Sequence, residues 1–261
     1  MTMRALCVGI NDYPYEGNDL KGCVNDANAW AEVLIKGFGF PKENVKMLLD
    51  SQATRKHTLN GIKDLLTGSQ AGDILVFTNS SHGSYVADES GDEEKYDEVI
   101  CPHDIADNQI LDDDLREIFV GLKPGVRMTV ILDNCFSGTA TRAADMDTPD
   151  HRRRRFLNPK LRGLKELRNP WTAKSKSKFP ESNMKEILLS GCTDREYSYD
   201  AEIGGKFHGA MTYYAIEAIR SSNYKLTYSQ LHQKIIDTIG DYPQHPQLEG
   251  TDSNKQSKFL R

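Results

Sequence analysis

Short apolar runs alternate with amphipathic segments along most of the chain. Five runs are rich in apolar and β-branched residues and are typical of buried strands: 5–10, 45–49, 73–79, 127–133 and 186–190. Five segments carry apolar residues at helical spacing and predict helices: 24–35, 58–66, 112–122, 209–220 and 228–239. Nearly continuous apolar strands that alternate with helices are typical of a parallel sheet covered on both faces. The pattern therefore predicts an α/β fold with a mostly parallel central sheet flanked by helices.

One stretch breaks this alternation. Residues 152–178 contain 11 Lys and Arg but a single acid, Glu166, whereas the whole chain has 33 basic and 38 acidic residues and a net charge of −5. An insert of this length is typical of a functional or unstructured segment. We therefore expect one domain, with 1–141 as its first region, 142–182 as a basic linker and 183–261 as its second region.

Three interpretations of the basic linker are open. It could be a solvated connection, a patch for nucleic acid or a membrane surface, or a segment that the protein itself cuts. RNA binding is usually helped by aromatic side chains that stack on bases, and only Phe156 and Trp171 lie within this stretch. We therefore do not expect a nucleic-acid partner.

Apolar runs and cysteines bear on where the protein works. The longest apolar runs, at 74–77 and 128–132, are far shorter than the roughly 18 residues needed to cross a bilayer. The first residues lack the charged, apolar and small-residue regions of an export signal. The five cysteines include no CxxC pair, which disfavours a disulfide framework or a structural zinc site. We therefore expect free thiols in a cytoplasmic protein with no membrane partner.

Two predicted strands end in residues that can do chemistry. His82 follows the third predicted strand, and Cys135 follows the fourth. Because the carboxyl ends of parallel strands share one crevice, we expect the two side chains to lie close together. An imidazole can take the proton of a thiol, and small neighbours such as Gly83 leave backbone N–H groups near a developing oxyanion. A lone cysteine after a strand is more often a buried small hydrophobe, but the coincidence of two strand ends favours a reactive pair.

Six short motifs are spread along the chain between residues 8 and 138. They are Val8-Gly9-Ile10-Asn11, Leu20-Lys21-Gly22-Cys23-Val24-Asn25-Asp26, His82-Gly83, Tyr96-Asp97-Glu98-Val99-Ile100, Ile110-Leu111-Asp112-Asp113 and Asp133-Asn134-Cys135-Phe136-Ser137-Gly138. The D-x-C-x-S-G form in particular resembles the metacaspases and their bacterial relatives, and the resemblance covers most of 3–220 outside the insert. Two positions depart from that family's pattern, because Ser81 stands where it usually has glycine and Tyr199 where it commonly has alanine.

The resemblance implies a caspase-like fold and a cysteine endopeptidase that cuts after Arg or Lys. Cys135 would be the nucleophile, His82 the general base and then acid, and the N–H of Gly83 an oxyanion donor. The expected partners are therefore peptides or proteins with Arg or Lys before the cut bond. Two other functions compete with this one. They are a catalytically silent caspase-like adaptor that binds nucleic acid or protein through its insert, and a cysteine hydrolase acting on a non-peptide acyl group.

An acidic pocket would hold the side chain before the cut bond. The resemblance implies that it is lined by Cys23, Asp26, Ser80 and Asp133, with Asp200 as a further candidate. Strand alternation independently places Asp133 on the side of Cys135. Carboxylates in a partly desolvated pocket would hold a guanidinium and repel an Asp side chain. The alternative is that Asn25 or Asp26 caps the first helix and that the other acids end a strand or turn a loop.

The resemblance also implies a regulatory calcium site that involves Asp97, Asp112 and Asp113. Oxygen ligands from separate loops can hold Ca²⁺, although no EF-hand spacing occurs in the chain. The alternative is a solvated acidic face or a favourable charge at a helix start. Both interpretations are open.

Finally, the resemblance implies an activating cut within the basic linker. An acidic pocket and a linker rich in Lys and Arg fit each other chemically. The candidate cut sites follow Arg155, Arg162 or Lys165, and the sequence does not rank them.

Overall fold

The described part of the chain forms one six-stranded sheet and two three-stranded sheets. The computed structural model describes residues 1–14, 16–87, 96–106, 108–135, 152–157, 184–193 and 196–261. The strands are β1 (Met3–Gly9), β2 (Val45–Leu49), β3 (Ile74–Ser80), β4 (Gly83–Ala87), β5 (Tyr96–Ile100), β6 (Ile110–Leu111), β7 (Arg127–Asp133), β8 (Arg152–Arg154), β9 (Ile187–Ser190), β10 (Tyr199–Ile203), β11 (Lys206–Gly209) and β12 (Gln247–Glu249). The α-helices are α1 (Cys23–Glu32), α2 (Arg55–Leu66), α3 (Asp112–Phe119), α4 (Ala210–Ser221), α5 (Tyr228–Thr238) and α6 (Asp252–Gln256).

The six-stranded sheet has the order β12-β9-β7-β3-β1-β2. Neighbouring strands from β2 to β9 run parallel, and β12 pairs antiparallel with β9. The register pairs Gly9 with Ser80 and Ser80 with Asp133, so three strands reach the same edge of the sheet. The predicted α/β fold with a mostly parallel sheet is confirmed, and this carboxyl edge is where such sheets place their functional crevice.

Apolar side chains cover both faces of the sheet. Ile74 and Val76 of β3 belong to one buried cluster with residues of α1, α4 and α5. Leu75 and Phe77 belong to a second cluster with residues of α2 and α3. Because successive side chains of a strand point to opposite faces, β3 contributes to both clusters and its run of apolar residues is nearly continuous.

Two helix starts differ from the sequence prediction. The N-cap of α1 is Gly22, which makes no side-chain capping hydrogen bond, so the alternative that Asn25 or Asp26 caps this helix is wrong. The helix α2 begins earlier than predicted, because the side chain of Thr54 accepts a hydrogen bond from the N–H of His57. The first difference matters for function, because it leaves the Asp26 carboxylate for another role.

Seven of the twelve described strands have no signal in the apolar pattern. β4, β5 and β6 form one small sheet, and β8, β10 and β11 form the other. β8 consists of three consecutive arginines from the basic linker, paired antiparallel with β10. β12 follows Pro246 and adds the edge strand beside β9. These strands are short and owe their conformation to the strands with which they pair.

Candidate active site

The segments that follow β3 and β7 lie side by side at the carboxyl edge of the sheet. Because the two strands pair in register to their last residues, His82 and Cys135 leave neighbouring strands. The side-chain amide of Asn134 donates to the carbonyl oxygen of Ser81 at 2.8 Å and to its Oγ at 2.7 Å. Ser81 is not among the described non-glycine residues with positive φ, so its place in the loop needs no glycine.

Gly83 allows the two segments to touch. A Cβ atom at this position would overlap the carbonyl oxygen of Cys135, so the close approach requires glycine. The N–H groups of Gly83 and Cys135 both donate to the carbonyl oxygen of Arg155, at 2.8 and 3.3 Å. Two N–H groups that converge on one carbonyl oxygen can stabilise the negative charge that develops there when the carbonyl carbon is attacked.

The thiol of Cys135 is buried against Ser198. Its Sγ donates to the carbonyl oxygen of Ser198 at 3.1 Å and accepts from the N–H of Ser198 at 2.6 Å. The same carbonyl oxygen accepts the N–H of Arg155 at 2.9 Å. The sulfur of Cys135 and the N–H of Arg155 therefore share one acceptor, the carbonyl oxygen of Ser198.

The imidazole of His82 is held as a neutral base. Its Nε2 lies 2.7 Å from the carbonyl oxygen of Asn18, which can only accept, so Nε2 carries the proton and Nδ1 has a lone pair. Nδ1 has no hydrogen-bond partner among the described residues. Burial lowers the pKa of His82 to about 4, so the ring is uncharged at neutral pH. A neutral imidazole in this tautomer can take a proton at Nδ1.

The side chain of Arg155 occupies a pocket lined by three carboxylates. Its Nη2 lies 2.7 Å from Oδ2 of Asp26 and 3.0 Å from Oδ1 of Asp200, and its Nη1 lies 3.5 Å from Oδ2 of Asp133. All four side chains are at most 1% exposed. Burial by itself would lower the pKa of Arg155, but the nearby negative groups outweigh it and raise the pKa, so the guanidinium keeps its charge. We call Asp26, Asp133 and Asp200 the acidic pocket.

Each carboxylate of the acidic pocket also has donors other than Arg155. They are the N–H of Gly209 for Asp26, the N–H groups of Lys21 and Gly22 for Asp200, and the N–H and hydroxyl of Thr212 for Asp133. Burial raises the pKa of Asp26, and the charge of Arg155 opposes that rise. Fixed donors orient the carboxylates independently of any bound cation, so the pocket is preorganised for one.

Cys23 and Ser80 lie beside the acidic pocket. Both are buried, and the described hydrogen bonds join neither side chain to Arg155. Burial raises the pKa of the Cys23 thiol while the charge of Arg155 opposes the rise, so the two side chains are within electrostatic reach. The structure thus brings the predicted pocket positions, His82, Gly83 and Cys135 together around one arginine.

Residues 152–157, which we call the docked segment, lie across this site as a short strand, a bend at Arg155 and a bridge from Phe156 to Gly83. β8 pairs antiparallel with β10, and Arg154 stands opposite Tyr199. The guanidinium of Arg154 lies 4.4 Å from the ring centroid of Tyr197, and that of Arg152 lies 5.7 Å from the ring centroid of Tyr199. Strand pairing of the backbone combined with contacts to alternate side chains is typical of a bound peptide.

Comparisons with known proteins assign the chain to a family. The family model described as the metacaspase, peptidase C14 domain matches residues 3–144. The chain is 33% identical to Metacaspase-1A of Aspergillus fumigatus over 281 positions, covering 94% of this chain and 68% of that protein. This chain belongs to the metacaspase family. It is also 32% identical to Metacaspase-1 of Pyricularia oryzae, covering 94% of this chain and 70% of that protein.

Solved structures have the same fold as this metacaspase. A crystal structure of a Geobacter sulfurreducens protein superposes with a TM-score of 0.75 at 24% identity, covering 100% of this chain and 98% of that one. Caspase-1 from Spodoptera frugiperda superposes with a TM-score of 0.56 at 11% identity, covering 95% and 86% of the two chains. The predicted caspase-like fold is confirmed. By its family, the protein is a cysteine peptidase of the caspase clan.

The acids proposed to bind calcium are engaged with an arginine in this metacaspase. Asp112 and Asp113 begin α3, and their carboxylates lie 2.8 and 3.6 Å from the guanidinium of Arg116. The side chain of Asp97 lies outside what the structure describes. No three His, Cys, Asp or Glu side chains within the described ranges are grouped to hold a metal ion. A calcium ion at Asp112 and Asp113 would compete with Arg116 for their carboxylates, and calcium binding stays a prediction.

The candidate cut sites, the cysteines and the helices can also be compared with the sequence predictions. Arg155 lies in the acidic pocket, whereas Arg162 and Lys165 lie outside the described residues. All five cysteines are buried free thiols, as we expected. In the parts of the chain that the structure describes, the helices are too short or too polar to cross a membrane.

Some residues of the site have no signal in the sequence. Ser198 and Asn18 act through backbone carbonyl oxygens, which any residue could supply. Tyr85 and Tyr197 contact Phe156 from two distant parts of the chain. The nearest hint in the sequence is the resemblance at Tyr199 and Asp200, which places this stretch close to the pocket without assigning a role to its backbone.

Proposed function

We propose that this metacaspase cuts peptide bonds after Arg or Lys with a Cys135–His82 dyad, and that its first substrate is its own bond between Arg155 and Phe156. One observation carries the proposal. The guanidinium of Arg155 lies in the acidic pocket, and the backbone carbonyl oxygen of the same residue accepts hydrogen bonds from the N–H groups of Gly83 and Cys135. A substrate whose carbonyl carbon is to be attacked by the thiol would need the same placement.

The acidic pocket accounts for the preference for a basic side chain. Arginine presents two terminal nitrogens to three carboxylates, and lysine has one nitrogen to share among them, so we expect Arg to be cut faster than Lys. An Asp side chain would add a fourth buried carboxylate without a partner. Peptides with Asp before the cut bond should therefore be excluded.

The proposed chemistry assigns the proton transfers to His82 and the attack to Cys135, whose thiol donates to the carbonyl oxygen of Ser198 in this structure. Nδ1 of His82 takes the thiol proton of Cys135, and the thiolate attacks the carbonyl carbon of Arg155. The two N–H donors stabilise the oxyanion. The bond to the nitrogen of Phe156 then breaks, and the imidazolium returns its proton to that amine. Water, deprotonated by His82, attacks the thioester and releases the new carboxylate together with the free thiol.

Self-processing would precede cleavage of other substrates. The docked segment occupies both the acidic pocket and the edge of β10, so a second peptide cannot enter while it remains. A cut after Arg155 would let the segment leave. Arg162 and Lys165 stay candidates for further cuts in the basic linker.

The docked segment also favours a peptidase over the two competing functions. Each of its four arginines contacts the protein: Arg155 in the acidic pocket, Arg154 and Arg152 on tyrosine rings, and Arg153 on the carbonyl oxygen of Asp19. These four arginines are therefore engaged within the protein, whereas an adaptor would use basic side chains on the phosphates of a nucleic acid. Backbone pairing with β10 favours a peptide over a non-peptide acyl substrate.

Two further expectations stay predictions. Calcium activation, which the resemblance implies, would require the carboxylates at the start of α3 to leave Arg116. Cytoplasmic location is suggested by five free thiols, which persist in a reducing compartment.

A set of peptides that differ only in the residue before the cut bond tests the proposal. We expect fast cleavage after Arg and Lys, measurable but much slower cleavage after Gln, and none after Asp. Cys135→Ala should form no product, and His82→Ala should lower the rate by about a hundredfold to ten-thousandfold. Cys7→Ala removes another buried thiol and should leave the rate unchanged. Equal cleavage after Asp and Arg, or hydrolysis by Cys135→Ala, would contradict the proposal.

A further inference from the structure

The residue after Arg155 lies between two tyrosine rings. Phe156 stacks on Tyr85 of β4, with ring centroids 5.9 Å apart and planes 16° apart. It meets Tyr197 nearly edge-on, with centroids 5.7 Å apart and planes 63° apart. Both arrangements are favourable for aromatic rings. The two tyrosines therefore form a slot on the far side of the bond that follows Arg155.

The next residue is held by its backbone and buried by its side chain. The N–H of Leu157 donates to the carbonyl oxygen of Gly83 at 2.9 Å, and Oγ of Ser84 donates to the carbonyl oxygen of Leu157 at 2.7 Å. Leu157 is 3% exposed and belongs to the apolar cluster on one face of the sheet. The docked segment is thus bound on both sides of the Arg155 carbonyl group.

We propose that Tyr85 and Tyr197 form a binding site for an aromatic side chain directly after the cut bond, followed by a site for an aliphatic side chain. The inference rests on the proposed endopeptidase function, because it names which substrates that function prefers. The enzyme selects Arg-Phe-Leu over Arg-Gly-Leu in peptides and proteins other than itself. An aromatic ring pair is worth roughly a two- to tenfold change in binding, so two pairs predict a preference of about tenfold.

The two tyrosines are expected to differ in what they affect. Tyr197 contacts Arg154 as well as Phe156, so it lies against residues on both sides of Arg155. A change at Tyr197 should therefore alter preferences on both sides of the cut bond. Tyr85 stacks on Phe156, so Tyr85→Ala is the variant that tests the slot after the cut bond.

The test uses two peptides, Ala-Ala-Ala-Arg-Phe-Leu and Ala-Ala-Ala-Arg-Gly-Leu, extended identically and tagged with a quenched fluorophore. Each has one basic residue, and mass spectrometry fixes the cut position. We expect kcat/KM to be about tenfold higher for the Phe peptide. Tyr85→Ala should reduce the Phe peptide to the level of the Gly peptide and leave the Gly peptide within about twofold. Tyr85→Phe, which keeps the ring, should retain the preference.

Two controls separate the slot from effects on folding. Phe38→Ala removes a ring that packs on Tyr224 and Phe259, and it should leave the ratio of the two peptides unchanged. Product peptides that begin Phe-Leu or Gly-Leu need no variant at all, and the Phe-Leu peptide should inhibit at about tenfold lower concentration. Any slot still occupied by the protein's own Phe156 lowers the rates of both peptides alike. The effect cancels in their ratio, because both are measured in the same preparation.

The outcomes distinguish this inference from the function on which it rests. Equal cleavage of the two peptides and equal inhibition by the two product peptides would overturn the aromatic slot and leave the endopeptidase intact. A Tyr85→Ala variant that cleaved the Phe and Gly peptides equally more slowly, so that the wild-type ratio of their kcat/KM values was preserved, would likewise overturn the aromatic slot. Cleavage of neither peptide by wild-type protein would overturn both proposals.

Discussion

Asp26→Asn removes one charge from the acidic pocket and keeps the size of the side chain. Oδ2 of Asp26 lies 2.7 Å from Nη2 of Arg155, and both side chains are 0% exposed. The amide can still accept the N–H of Gly209, but it has no charge to offer the guanidinium. Removing one partner of a buried ion pair costs about 3–5 kcal/mol. Because Asp133 and Asp200 remain, we expect the low end of that range.

A loss of about 3 kcal/mol corresponds to roughly a hundredfold fall in kcat/KM for Arg peptides, since each 1.4 kcal/mol is tenfold. The assay compares Arg with Gln before the cut bond, because Gln cannot use the lost charge. The Arg to Gln ratio should therefore fall by about a hundredfold in Asp26→Asn. Asp64→Asn is the control, since its salt bridge with Lys46 is 61% exposed on both sides and is worth little. A folded Asp26→Asn variant with an unchanged ratio would refute the pocket assignment.

Three further predictions address the rest of the site. Gly83→Ala should abolish cleavage, because its Cβ would overlap the carbonyl oxygen of Cys135, whereas Gly240→Ala has open space around it and should be neutral in the same assay. In the Cys135→Ala background, the free energy of unfolding should fall by up to about 3 kcal/mol as the pH drops from about 6.5 to 4. The pKa of His82 is about 4 in the folded protein and about 6.5 in the unfolded chain, so the unfolded chain binds the proton first as the pH falls. In urea titrations, the fall in the free energy of unfolding should be smaller when His82→Asn is added to this background. An equal fall would contradict the prediction. Millimolar Ca²⁺ should raise the rate of peptide cleavage, and excess chelator should lower it. Equal rates would contradict the calcium site and favour the alternative that the acids of α3 form a solvated face.

Much of the site could be predicted because it depends on strand ends. The apolar runs located β3 and β7, and parallel pairing in register then brings His82 and Cys135 to one edge. The role of Asp26 was harder, because an acid near a helix start is as well explained by capping. The structure makes Gly22 the N-cap of α1, so Asp26 does not cap the helix. The apolar pattern of the sequence does not show which residue caps a helix.

The docked segment could not be located from sequence alone. Three arginines have no particular tendency to form a strand, and β8 exists because β10 offers a backbone edge and the acidic pocket offers charge. The basic composition indicated a segment suited to an acidic pocket, but it could not choose among Arg155, Arg162 and Lys165. Such choices depend on contacts between distant residues, as the two tyrosines on Phe156 illustrate.

Intact-mass measurement combined with N-terminal sequencing tests the central claim most directly. Wild-type protein should yield fragments 1–155 and 156–261, the second beginning with Phe156, and the fragments should stay associated because β7 and β9 pair within one sheet. Cys135→Ala should remain a single 29.4 kDa chain. Wild-type protein that stays uncut while cleaving Arg peptides, or the same fragments from Cys135→Ala, would contradict the account.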